Sequence, residues 1–131
     1  MGGVKVVLVA GGRDYPSPGQ VFEVLNEENP QLVMHCCKPG DDRWVSRWVV
    51  EHARLELRCP DDWGGTGEAA DSRRNGMLLA LLSTFSLAGD DVQVVAFPDG
   101  SDAADLVRQA RDWPVVVREI TERPSAPPAD Q

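Results

Sequence analysis

Cysteine is scarce, with three in 131 residues, two of them adjacent at Cys36 and Cys37. An odd count without regular spacing does not suit a secreted disulfide framework, and reduced thiols fit a cytoplasmic compartment. His35, Cys36, Cys37, His52 and Cys59 show no CxxC or HxxxH spacing. They therefore read as ordinary buried thiols and scattered imidazoles rather than a zinc site, and no metal is expected there. Basic charge is also short: 13 Lys and Arg stand against 21 Asp and Glu, a formal charge of −8. Binding a phosphodiester backbone draws on clustered Lys and Arg, so nucleic acid is excluded as a general partner. No apolar run approaches the roughly 18 residues of a membrane span, so no membrane partner is expected. The first residues carry neither a basic start nor a cleavage site, which again points to the cytoplasm.

What is present fits one domain over residues 1–120, followed at 121–131 by a flexible tail of Pro, Ala, Ser and Asp without apolar periodicity. Val4 to Ala10 is apolar almost throughout, as in a strand covered on both faces. Ser17 as N-cap, Pro18 at the first helical position and Gln20 three residues after the cap open a helix. Its apolar face is Val21, Phe22 and Leu25, and Asn29-Pro30 stops it. Gln31 to Cys36 forms a second strand. Gly40, Asp41 and Asp42 open a helix in which Trp44, Val45, Trp48, Val49 and His52 recur at helical spacing. Leu55 to Cys59 is a third strand closed by Pro60, and 61–71 is a loop. The spacing then predicts a helix from Ser72 to Leu87, apolar nearly all round beyond Met77. Such a helix is buried, or faces a second subunit in a homodimer or higher homo-oligomer. Val92 to Phe97 is a fourth strand. The turn Pro98 to Ser101 leads into a helix carrying Ala103, Ala104, Leu106, Val107 and Ala110, and Val115 to Val117 is a fifth strand.

Strands alternating with helices give an α/β fold whose parallel sheet has right-handed crossovers and helices on both faces. The loops after its strands gather on one edge. The turns at 11–16, 36–42 and 98–102 are expected to meet there and form a ligand crevice.

Three segments carry a likeness to a known family. They are Val-Ala-Gly-Gly-Arg-Asp-Tyr at 9–15, the block Asp62-Trp63, Gly67, Ala70 and Arg74-Asn75, and Ala96-Phe97-Pro98-x-Gly100 leading into Ala104-Asp105. Over roughly residues 4 to 118 the chain resembles the YspA-related branch of the SLOG superfamily, which includes the LOG-type phosphoribohydrolases and the DNA-processing protein DprA. The resemblance implies a Rossmann-like three-layer sandwich with about five strands, and a nucleotide or nucleotide-derived ligand at the strand ends. The chain departs from the family where phosphate would be held. His-Gly-Gly-x-x-Gly-x-Asp after the second strand is here His35-Cys36-Cys37-Lys38-Pro39-Gly40-Asp41-Asp42. Pro-Gly-Gly-x-Gly-Thr after the fourth is Pro98-Asp99-Gly100-Ser101-Asp102-Ala103. Glycines there let the backbone close on a phosphate and aim N–H groups at it. Asp99 and Asp102 instead bring carboxylates, and two charges about 4 Å apart repel by about 4 kcal/mol at an effective dielectric of 20. A bridging Mg²⁺ at Asp99 and Asp102, a role as sugar-hydroxyl acceptors, or loss of the ligand would each remove the conflict.

The expected ligand-binding set is Gly11, Gly12, Arg13, Asp14, Gly40, Asp42, Trp63, Arg74, Asn75, Pro98, Asp99, Gly100 and Ser101. Arg13 and Arg74 suit an anion because guanidinium makes bidentate contacts, or they pair with the many acids. Asn75 reads a base or ribose edge, or holds the loop before it. Asp14 and Asp42 orient a ribose or act as a general base, or serve as turn and helix-cap residues. Trp63 stacks on a base, or anchors its loop; Trp44 and Trp48 belong to the core or a subunit interface. In the region where the phosphoribohydrolases place an Arg and a Glu, this chain offers Asp105 and Arg108 without the glycine frame, so no catalytic residue is assigned. Three readings remain open: a sensor or sequestering protein for a nucleotide-like molecule, an N-glycosidic-bond hydrolase acting on a nucleotide, and a ligand-free interaction module.

Overall fold

The computed structural model describes residues 3–11, 18–37, 43–60, 68–97 and 100–120. Strands and helices alternate through them: β1 (Lys5–Ala10), α1 (Pro18–Glu28), β2 (Leu32–Cys37), α2 (Arg43–Glu51), β3 (Leu55–Pro60), α3 (Glu68–Leu87), β4 (Asp91–Ala96), α4 (Gly100–Ala110) and β5 (Val116–Glu119). The five strands form one sheet in the order β3-β2-β1-β4-β5, every neighbouring pair parallel. This is the α/β sandwich with helices on both faces, and it follows from the run lengths. A parallel strand covered on both sides needs apolar residues at nearly every position, as Val6 to Ala10 supply without a break and Val92 to Phe97 supply apart from Gln93.

The period of two divides those runs between two cores. Val6, Leu8, Ala10, Val92, Val94 and Ala96 face α3 and α4, meeting Leu78, Leu79, Leu82, Leu106 and Val107. Val7, Val9, Val95 and Phe97 face α1 and α2, meeting Val21, Leu25, Val45, Trp48 and Val49. Trp48 is fully buried and its indole N–H donates to Asn26 Oδ1 at 2.8 Å, which ties α2 to α1. At the same C-terminal end of α1, Glu28 accepts from Lys5 Nζ at 2.5 Å, Gln93 Nε2 at 3.2 Å and Arg118 Nη1 at 2.6 Å, fastening that helix end across β1, β4 and β5.

Several boundaries move. Residues 68–71, expected as loop, are the first turn of α3. Ala69 and Ala70 are strong helix formers, and no apolar repeat announces that turn. The turn expected at 98–101 is shorter, because α4 starts at Gly100. β2 begins at Leu32 and β5 runs to Glu119, each one or two residues later than the apolar pattern. The expectation that α3 is buried all round is corrected. Leu78, Leu79 and Leu82 are buried, but Met77 is exposed and Leu87 is 89% exposed, since one helix on one sheet face covers only one stripe. No helix among the described residues is long and apolar enough to cross a membrane.

Candidate functional site

In a parallel sheet of this order, β1 has β2 on one side and β4 on the other. The chain leaves β1 toward one face through α1 and leaves β4 toward the other through α4. The two exits diverge beyond the carboxyl ends of β1 and β4, the reversal point of strand order at which such sheets generally bind ligands. Local geometry builds this edge. Gly11 follows β1 at φ +73°, in the left-handed region that glycine enters without a Cβ penalty. The N–H of Phe97 donates to the carbonyl of Ala10 at 2.9 Å, and that of Ile120 to Ala96 at 2.8 Å, so pairing continues one residue past the strands. α4 begins three residues after Phe97, and its first N–H groups and the positive end of its dipole open on the same edge.

α3 contributes two further residues. Arg74 is fully buried, and its guanidinium lies close enough to Cys59 at the end of β3 to act on the thiol. Burial pushes the Cys59 thiol up to about 11 despite that cation, so it is protonated and unreactive at neutral pH. Asn75, also buried, turns toward α4 and donates from Nδ2 to Asp105 Oδ2 at 2.9 Å. Gln109 Nε2 donates to the same oxygen at 2.8 Å and to the Ser72 carbonyl at 2.9 Å, while Arg108 pairs with the other carboxylate oxygen. Burial raises the Asp105 carboxyl, but hydrogen bonds from Asn75, Gln109 and Ser72 and the charge of Arg108 outweigh it and hold the group below its ordinary value. Gly76 keeps the two helices close here: a Cβ on it would stand 3.2 Å from Gln109 Oε1.

Of the expected site residues, the fold brings Gly11, Gly100 and Ser101 to one sheet edge, at the end of β1 and the start of α4. Arg74 and Asn75 lie on α3, Asn75 engaged with α4. Gly12, Arg13, Asp14, Gly40, Asp42, Trp63, Pro98 and Asp99 lie outside the described residues, as does the Asp99 half of the Mg²⁺ pairing with Asp102. Among the described residues no group of three or more His, Cys, Asp or Glu could hold a metal ion.

Sequence reasoning missed a buried polar cluster between β2, β3 and α2. His35 Nε2 meets Glu56 Oε2, Ser46 Oγ donates to that oxygen at 2.5 Å, and Arg58 Nε stands 3.6 Å from it. Burial raises Glu56, but Ser46, His35 and Arg58 outweigh it and the carboxyl sits below its ordinary value. The available signal was Leu55-Glu56-Leu57-Arg58, an alternation that puts Glu56 on the face of the sheet under α2. Glu56 lies between His35 and Ser46, so neither bond is the hydroxyl-to-imidazole contact that activates a serine nucleophile.

No protein-family profile matches the chain, and no characterised protein aligns significantly with it.

Proposed function

We propose that this protein binds a nucleotide or nucleotide-derived small molecule in the crevice at the carboxyl ends of β1 and β4, as a sensor or sequestering protein of SLOG type. The observation that carries this reading is the strand order. β3-β2-β1-β4-β5 places a left-handed glycine, Gly11, beside the start of α4 at the one reversal point of the sheet. The sequence Gly-Gly-Arg-Asp at 11–14 follows β1 with two residues that lack a side chain and then a guanidinium, which is suited to an anionic group.

Binding is favoured over N-glycosidic hydrolysis by the state of Asp105. A carboxylate that stabilises an oxocarbenium-like transition state must face the sugar. Asp105 is occupied by Asn75, Gln109 and Arg108 within the contact between α3 and α4.

Thermal shift with a panel of nucleoside mono- and diphosphates, dinucleotides and ADP-ribose, with and without Mg²⁺, tests the reading. At least one ligand is expected to raise Tm by several degrees, about 1–3 kcal/mol of linkage at saturating concentration. Asp99→Asn and Asp102→Asn should tighten binding of that ligand in the absence of Mg²⁺ by relieving charge repulsion. No shift with any ligand under either condition, or release of free base as the sole event, overturns the proposal.

A further inference from the structure

β3 ends the sheet, and among the described residues no strand pairs with its outer edge. It has six residues, as long as the interior strands β1, β2 and β4, whereas the opposite edge strand β5 has four. Short edges resist added strands; a full-length edge is a template for one. Val50 and Leu55, which bracket the turn into β3, are 76% and 69% exposed, so apolar surface adjoins this edge.

We propose that two copies of this chain join their β3 strands antiparallel about a two-fold axis at Leu57, continuing the sheet from one copy into the other. Backbone parity and charge select this register. The N–H of Leu55 donates to the Gln31 carbonyl at 3.0 Å. The amide and carbonyl of one residue point the same way and alternate along a strand, so Leu55, Leu57 and Cys59 serve β2 while Glu56, Arg58 and Pro60 turn outward. A two-fold centred on Glu56 sets Glu56 against its own copy. One centred on Arg58 sets Arg58 against itself and matches Glu56 with Pro60, which has no N–H to give. Centring on Leu57 pairs Glu56 with Arg58 of the second copy, twice, so four backbone hydrogen bonds form and both cross-strand pairs carry opposite charge. Parallel, in-register association would instead align Glu56 with Glu56. Arg58 has the reach for the pairing: its side chain is 56% exposed and already lies 3.6 Å from its own Glu56.

Sedimentation velocity on the full chain over a wide concentration range tests the proposal, which does not depend on the nucleotide reading. The mass should rise from 14.3 kDa toward twice that value. Arg58→Glu places like charges opposite each other and should weaken association by about tenfold or more. Arg58→Pro removes an N–H that points away from β2 and should abolish the dimer with the far-UV circular dichroism unchanged. Leu57→Cys, oxidised with glutathione disulfide, should give a covalent dimer joined through the two position-57 sulfurs, with two glutathione thiols released. The facing Cα atoms of a non-hydrogen-bonded pair lie about 4.5 Å apart, within disulfide range. A chain that stays monomeric at the highest soluble concentration, or an assembly that survives both Arg58 variants, overturns the proposal.

Discussion

At the scale of single residues, two backbone positions carry opposite consequences. Ala53, in the turn between α2 and β3, sits at φ +53° without being glycine. Left-handed backbone costs an alanine about 1–2 kcal/mol, and glycine gives back part of that in chain entropy. Ala53→Gly is therefore expected to stabilise the fold by about 0.5–1 kcal/mol, read as a higher urea midpoint at unchanged slope. Gly89 stands at φ +95° with open space where a Cβ would go. Gly89→Ala meets no neighbour and should cost about 1 kcal/mol from conformation alone. Asn29, at φ +48°, is the side chain type that tolerates this region, and the Asn-Pro pair that ends α1 was legible for that reason. Ala53 left no such trace in the sequence.

At the scale of elements, strands covered on both faces were legible because they require near-continuous apolar runs, as in Val6 to Ala10 and, apart from Gln93, Val92 to Ala96. The start of α3 was not, because Glu68-Ala69-Ala70-Asp71 has helix propensity without the apolar repeat that marks a packed face. The carboxyl ends of β1 and β4 could be anticipated from strand-glycine and strand-proline junctions. The roles of Asn75 and Asp105 could not, since 30 residues separate them and only the packing of α3 on α4 joins them. That contact makes a prediction. Asn75→Ala and Asp105→Asn should each cost about 1–2 kcal/mol, and the double variant should cost less than their sum because both remove the same bond. Urea unfolding of the four proteins in the cycle checks this, and full additivity would contradict it.

At the scale of the whole molecule, the sheet is held to its helices by apolar layers on both faces and by three carboxylates whose pKa values lie below their ordinary ones. Glu28, Glu56 and Asp105 are each raised by burial and lowered further by the cations and donors around them. A group lowered in the folded state stabilises that state above its unfolded value and loses the contribution as pH falls through the folded one. The ordinary values are 4.5 for Glu and 3.8 for Asp, so stability should hold to about pH 5 and then fall as acid is added. Glu56→Gln should lower stability at neutral pH by about 1–3 kcal/mol and flatten the acid limb, as followed by unfolding midpoints against pH.

The reversal of strand order between β1 and β4 is the feature on which the functional account rests, and residue-level mapping of ligand contacts addresses it directly. Amide chemical shifts, recorded while the stabilising nucleotide is titrated into the labelled chain, should move at Ala10, Gly11, Ala96, Phe97 and the first turn of α4. They should stay still at Lys5, Gln31 and Asp91 on the opposite edge of the sheet. Shifts gathered on that opposite edge, or none at saturating nucleotide, would contradict the account.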